Sequence, residues 1–153
     1  MGNAVSYLVV LQLDELRVGL PLASVDRVVS AVHVTPLPKA PEIVLGVISF
    51  QGQVIPVVNM RRRFRLPDRE VALTDRLVVA RTTHRLIGLL ADAVTDVRHC
   101  PEEEIIGAQG IVPGIEYVDG VVRLGHELIL IHDLDRFLSL EEDQHLDRAL
   151  ELQ

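Results

Sequence analysis

The sequence predicts a mainly β chain written twice, and three observations carry that reading. Nearly half of the 153 residues are apolar, yet aromatics make up 3% and tryptophan is absent, so the core must be assembled from Val, Leu and Ile, residues that favour strands. Short aliphatic runs recur between brief polar turns, the spacing of small barrels. The third observation is an internal repeat. YLVVLQLDELRVGLPLASVDRV, residues 7–28, slides forward by 69 positions without a gap onto RLVVARTTHRLIGLLADAVTDV, residues 76–97, and lays Leu8 on Leu77, Gly19 on Gly88 and Val25 on Val94. GVISFQGQVIPVVNMRRRF, residues 46–64, meets GVVRLGHELILIHDLDRFL, residues 120–138, at an offset of 74, with Gly46 on Gly120 and Asn59 on Asp133. Residues 1–153 are therefore expected to form one free-standing domain with halves at about 7–66 and 76–138 and a terminal helix over 139–153.

Each half opens with a hairpin. LVVLQL (8–13), the turn Asp14-Glu15 and LRVGLPL (16–22) read as strand, turn, strand. RLVVAR (76–81), Thr82-Thr83-His84 and RLIGLLADAVTDV (85–97) repeat the plan with a longer second strand. The β-branched stretch from Val28 to Val34 stops at Pro36-Leu37-Pro38, since proline lacks the amide a ladder needs. Pro41-Glu42 has the form of a short helix start. VISF (47–50), Gln51-Gly52 and QVIPVV (53–58) make another hairpin, in which Pro56 implies an edge or a bulge. Residues 100–116, with Gly107, Gly110 and Gly114, read as the longest loop. Ser139 and Glu142 fit a capping box, and Leu140, Leu146 and Leu150 supply the stripe of the terminal helix.

A net charge of −7 argues against a protein that works by neutralising a phosphate backbone. The lone Cys100 allows no internal disulfide, and the N-terminus lacks a signal-peptide pattern, so a cytoplasmic protein is expected. No apolar run reaches the roughly eighteen residues of a spanning helix, so no membrane insertion is expected. Met1-Gly2 followed by Ser6 matches a myristoylation signal only in part.

Chemistry is not written in the chain. The six histidines never fall at a metal-ligand spacing, so no metal is expected, and His132-Asp133-x-Asp135 aligns with Val58-Asn59-x-Arg61, which favours turn capping. Cys100 is followed by Pro101 and three glutamates, a poor setting for a thiolate nucleophile. The glycine series lacks the endings of phosphate-binding loops, and no GxSxG elbow occurs, so neither cofactor nor catalytic residue is assigned. Arg61, Arg62 and Arg63 read most simply as the solvated face of a helical turn.

Several stretches together resemble the CheW-like domains of bacterial chemotaxis. They are Gly19-Leu20-Pro21-Leu22 with Val25, the run from Leu37 to Phe64, GLLADAVTDV from Gly88 to Val97, and YVDGVVRLGHELILIHDLDRFL from Tyr117 to Leu138. The resemblance covers nearly the whole chain. It implies two similar five-stranded β-barrels of SH3 or OB-like type sharing a hydrophobic seam, with short helices and a C-terminal helix. It also implies a noncatalytic adaptor that couples chemoreceptor signalling tips to the regulatory domain of the histidine kinase CheA in membrane-associated arrays. The alternatives are a small barrel that binds nucleic acid or another ligand, and an accessory scaffold for a non-flagellar motility pathway.

Partner-binding positions carried over from the resemblance are Leu22, Val25, Arg27 and Val28 after the first hairpin, Gln51 and Gly52 at the family's Arg-Gly turn, and Leu77 and Val78 opening the second half. Arg27 stands where the family usually has glutamate, and Gln51 where it usually has arginine, so partner choice is expected to shift, with the two changes coupled. Asn59 replaces a usual aspartate. Arg61 to Arg63 are expected to serve packing at the junction of the halves and partner steering. Their joint replacement by alanine is expected to leave binding within about tenfold, from the small worth of surface charges.

Overall fold

The computed structural model describes residues 5–30, 33–107 and 118–151. Eleven strands occur among them. In chain order they are β1 (Val5–Leu13), β2 (Leu16–Pro21), β3 (Val25–Ser30), β4 (Val44–Phe50), β5 (Gln53–Val58), β6 (Arg76–Arg81), β7 (Leu86–Ala91), β8 (Ala93–Pro101), β9 (Ile106–Gly107), β10 (Val118–Leu124) and β11 (Glu127–His132). A helical turn, α1 (Met60–Arg63), follows β5, and α2 (Leu140–Glu151) ends the described chain.

The strands form two sheets, ordered β8-β1-β2-β11-β10-β9 and β3-β6-β7-β5-β4. Neither sheet belongs to one half. The hairpin β1–β2 of the first half sits among β8, β10 and β11 of the second, while β6–β7 of the second sits among β3, β4 and β5 of the first. Two parallel ladders join the exchanged pieces, β2 on β11 (Gly19 opposite Ile131) and β7 on β5 (Gly88 opposite Val57). Under the repeat these are the same contact, made once in each sheet.

Barrel closure is the part of the expectation that needs correcting. Both hydrogen-bonded ladders are open, ending at β8 and β9 in one sheet and at β3 and β4 in the other. The shared seam is present. Alternate residues of each strand point to opposite faces, so Leu8 and Val10 of β1 join a core with Val122, Ile129 and Ile131, inside the first sheet. Their repeat partners Leu77 and Val79 join Ile48, Ile55 and Val57 inside the second. The intervening residues, Val9 and Leu11 on one side and Val78 and Ala80 on the other, meet in the larger cluster between the sheets. Strands covered on both faces read as unbroken aliphatic runs, which is why the sequence shows so little alternation. Burying each such Val, Leu or Ile contributes about 1.5–3 kcal/mol.

Four details differ from the sequence reading. The long second strand of the second hairpin is broken at Asp92 into β7 and β8, which lie in different sheets. Pro41-Glu42 starts no helix; the Val44 amide bonds the Pro41 carbonyl in a turn that leads straight into β4. Pro56 is not on an edge strand, because β5 lies between β4 and β7, but pairing with β7 begins only at Val57, so its missing amide costs that ladder nothing. The expected loop at 100–116 begins as the end of β8, a 3-10 turn at Glu102–Glu104 and β9; Gly110 and Gly114 lie outside the described residues.

The capping box at α2 forms as read. The Ser139 amide donates to Glu142 Oε1 (2.8 Å) and the Glu142 amide to Ser139 Oγ (3.1 Å). Leu146 is buried and Leu150 partly so, but Leu140 at the first turn faces solvent, and Ala149 takes the buried place instead.

Equivalent glycines mark the tightest packing. A Cβ on Gly46 would lie 2.2 Å from the Thr35 carbonyl oxygen, and one on Gly120 would lie 2.6 Å from Ile105 Cγ2. Each glycine sits beside a bulge in its strand and lets an outer segment close on it. We expect Gly46→Ala to cost about 1–3 kcal/mol, the usual range for forced overpacking, read from urea denaturation midpoints.

Candidate docking surface

The partner positions inferred from sequence fall in two environments. Leu22 lies in the 3-10 turn between β2 and β3 and is largely exposed. Val25 is half-buried against the seam, while Arg27 and Val28 stand out on β3, an edge strand whose outer side has no partner strand among the described residues. Gln51 and Gly52 form the tip of the β4–β5 hairpin with φ of 50° and 79°. Two left-handed residues in succession match the twist of such a hairpin, and glycine takes the second without strain. The Arg27 guanidinium carbon lies 5.9 Å from the centre of the Phe50 ring, next in sequence to Gln51. Thus β3 and the hairpin tip share one corner, and six of the eight positions border it or the adjoining turn.

Leu77 and Val78 do not. They are 1% and 0% exposed, on a strand paired on both sides by β3 and β7. Their side chains fill the inner core of the second sheet and the seam respectively, so they support β3 from behind and cannot touch a partner. Sequence reasoning also passed over the equivalent edge of the first sheet. Val94 packs on the seam as Val25 does, Val97 is exposed as Val28 is, and Asp96 stands where Arg27 stands. Leu128 and Val54 form another exposed pair at matching hairpins. The offset of 69 that revealed the repeat would have found the second edge.

The three arginines behind the β4–β5 hairpin are not a solvated face. Asn59 caps α1 by accepting the Arg62 amide (3.2 Å), and Asp133 does the same for Asp135 (3.0 Å), so the predicted turn-capping role holds at both repeat positions. The Arg61 side chain is only 10% exposed. It donates two bonds to Asp14 (2.7 and 3.0 Å), two to Asp92 (2.8 and 2.9 Å) and one to the Pro67 carbonyl (3.1 Å). Asp92 also accepts from the Asp14 amide (2.7 Å) and from Arg69 (2.6 Å), which in turn holds Asp75. Arg63 reaches Glu142 of α2 at 2.6 Å, and only Arg62 lies at the surface, near Glu42 and Asp68.

Electrostatics follow that geometry. The Arg61 hydrogen bonds hold the Asp14 carboxyl below its ordinary range. Burial works to raise Asp92, but the Asp14 amide and both guanidiniums outweigh it and leave that carboxyl low. His132 is buried, stacked on Phe137 at 3.6 Å with Phe64 edge-on at 5.2 Å, and desolvation pushes its imidazole down to about 3. The ring is neutral inside the fold at ordinary pH. Burial raises the Cys100 thiol, the direction opposite to an activated nucleophile. Among the described residues no group of three His, Cys, Asp or Glu side chains is placed to hold a metal ion, and no helix is long and apolar enough to cross a membrane.

An aliphatic double sheet with open edges, whose turns are braced by a lattice of arginines and aspartates, defines a protein-docking module. The chain belongs to the CheW-like domain family, whose model matches residues 7–142. It is 28% identical to the chemotaxis protein CheW of Treponema pallidum over 91% of this chain and 85% of that one. It is 33% identical to the chemotaxis protein CheW of Rhizobium meliloti over 71% of each. The crystal structure of the scaffolding protein TtCheW from Thermoanaerobacter tengcongensis superposes with a TM-score of 0.83 at 27% identity, covering 90% of this chain and 94% of that one. Family membership makes the chain a coupling adaptor of chemotaxis signal transduction.

Two predictions follow from the charged and aromatic interior. Removing one partner of a buried ion pair costs about 3–5 kcal/mol, and the half-exposed Asp14 end lowers the expectation for Arg61→Met to about 2–3 kcal/mol. Arg61→Lys should recover less than half of it in urea denaturation, because lysine cannot fork to two carboxylates. For His132, the folded value of about 3 lies under the unfolded 6.5, so the unfolded chain binds the extra proton between them. Stability is then complete above pH 6.5 and drains away as pH falls through that window. The chain should lose roughly 2 kcal/mol between pH 7 and pH 5 from this ring, and His132→Gln should remove that part of the slope. The aspartates held low by arginine do not titrate there.

Proposed function

We propose that this chain couples chemoreceptor signalling tips to the regulatory domain of a CheA-type histidine kinase, in the cytoplasm at membrane-associated arrays, and performs no catalysis of its own. The observation that carries the proposal is the corner at β3: a strand edge with no partner strand among the described residues, with exposed Leu22 and Val28, beside a cation 5.9 Å from the Phe50 ring centre and the β4–β5 hairpin tip. Apolar anchors next to a fixed charge suit an amphipathic helical hairpin or a partner β-domain, because the anchors give affinity and the charge gives orientation. The basic turn offers a single-stranded nucleic acid no open cationic track, since Arg61, Arg62, Arg63 and Arg69 are already joined to carboxylates.

Arg27 and Gln51 border the same phenylalanine, which gives their coupling a physical basis. In binding measurements with a purified receptor tip and a kinase regulatory domain, Val28→Glu should weaken at least one complex by about tenfold or more, while Leu140→Glu on the remote helix should not. Arg27→Glu and Gln51→Arg, made singly and together, should give non-additive changes. Binding that ignores every β3 substitution would remove this corner from the interface.

A further inference from the structure

The interleaving of the halves points to a partner that the docking surface does not involve. We propose that a second copy of this chain can take the place of either half, giving an intertwined dimer in which the first half of one copy completes the second half of the other.

Four ladders cross between the halves: β1 on β8, β2 on β11, β3 on β6 and β5 on β7. Each sheet therefore consists of one hairpin from one half and the remaining strands from the other, and neither half alone can complete either sheet. All four ladders and the seam core are preserved if the halves come from different chains. What changes is the path of the segment that joins them, residues 65–75.

That segment has the features of a joint. It contains no strand or helix, and it is fastened by charges: Arg62 to Asp68, Arg69 to Asp75 and to Asp92. Leu66 is fixed by its amide on the Arg61 carbonyl (2.8 Å), and Pro67 follows it. Leu73 is 95% exposed and Val71 about half so, and the joint therefore carries apolar surface that a single copy leaves open among the described residues. Two such segments running side by side in an open dimer would cover each other. In the unfolded chain, a short connection holds its ends at an effective concentration in the millimolar range, so the exchanged form is expected only when the chain folds at comparable concentration. High salt should assist it, since at about 1 M the screening length is about 3 Å and the exposed fastenings weaken. Each body of the dimer keeps its own β3 edge, and a two-headed scaffold would result.

The test uses the full chain with Ser30→Cys and Arg76→Cys. These residues are exposed, directly opposed across β3 and β6, and come from different halves. The bond they form is intrachain in the monomer and interchain in the exchanged dimer. The protein is unfolded in urea, refolded at micromolar or millimolar concentration in high salt, oxidised, sized by light scattering and run on a non-reducing gel. Dimer that stays covalent on the gel after millimolar refolding, and is absent after micromolar refolding, is the expected result. A monomeric profile at both concentrations overturns the proposal, as does a dimer whose chains separate on the gel.

Discussion

Everything in this molecule depends on the two parallel ladders where β2 meets β11 and β5 meets β7. Parallel strands cannot be joined by a tight turn, so each ladder must recruit its members from distant parts of the chain, and here it recruits one from each half. Folding is thereby made cooperative: a hairpin without its host sheet has one face on nothing and one edge unpaired. Side-chain crowding over these ladders explains Gly19 and Gly88, where a Cβ would press on the side chains of Ile129 and Leu8 in one sheet and of Leu77 and Val57 in the other.

The arginine and aspartate lattice acts on the same junction from outside. Asp14 belongs to the β1–β2 turn, Asp92 to the crossing between the sheets, and Arg61 to α1 at the end of the first half. One guanidinium thus holds three segments that the seam core alone would leave free to shift. An ion pair at this depth adds little net stability over an apolar substitute. Its value is geometric, because a planar fork fixes both carboxylates in direction as well as distance. The crossing at Asp92 leads directly into β8, so the lattice also sets where the second exposed edge begins.

How far the sequence disclosed this depends on the range of the interactions. The hairpins, the capping box and the repeat are local or repeated patterns, and they were legible. Strand exchange was not, because an aliphatic run announces a strand but not its neighbour, and neighbours in sequence are the natural assumption. The run LLADAV gives no warning of a break, since Asp92 leaves the strand only to meet Arg61 and Arg69, partners 31 and 23 residues away. Arg61 read as a surface residue for the same reason: Asp14 is 47 positions distant. Leu77 and Val78 were placed on the docking surface by resemblance, whereas the unbroken apolar run Leu77-Val78-Val79-Ala80 already marked a strand buried on two faces.

The repeat separates positions that are alike in both halves from positions that differ. Core positions are kept in kind: Leu8 with Leu77, Val10 with Val79, Ile131 with Val57. Contacts outside the core are kept in place but changed in chemistry. Arg61 holds the β1–β2 turn through Asp14, and its counterpart Asp135 holds the β6–β7 turn by accepting the Thr83 amide at 2.8 Å, so one structural task is done by opposite charges. The exposed edges diverge in the same way, with Arg27 on one and Asp96 on the other. Packing constrains volume and polarity tightly, whereas a hydrogen bond to a turn can be made from either side and a strand edge constrains charge hardly at all. The two edges match in position but not in the order of their charges, Asp26-Arg27 on one and Asp96-x-Arg98 on the other. The repeated frame therefore carries two strand edges of different charge pattern without any change to the core that supports them.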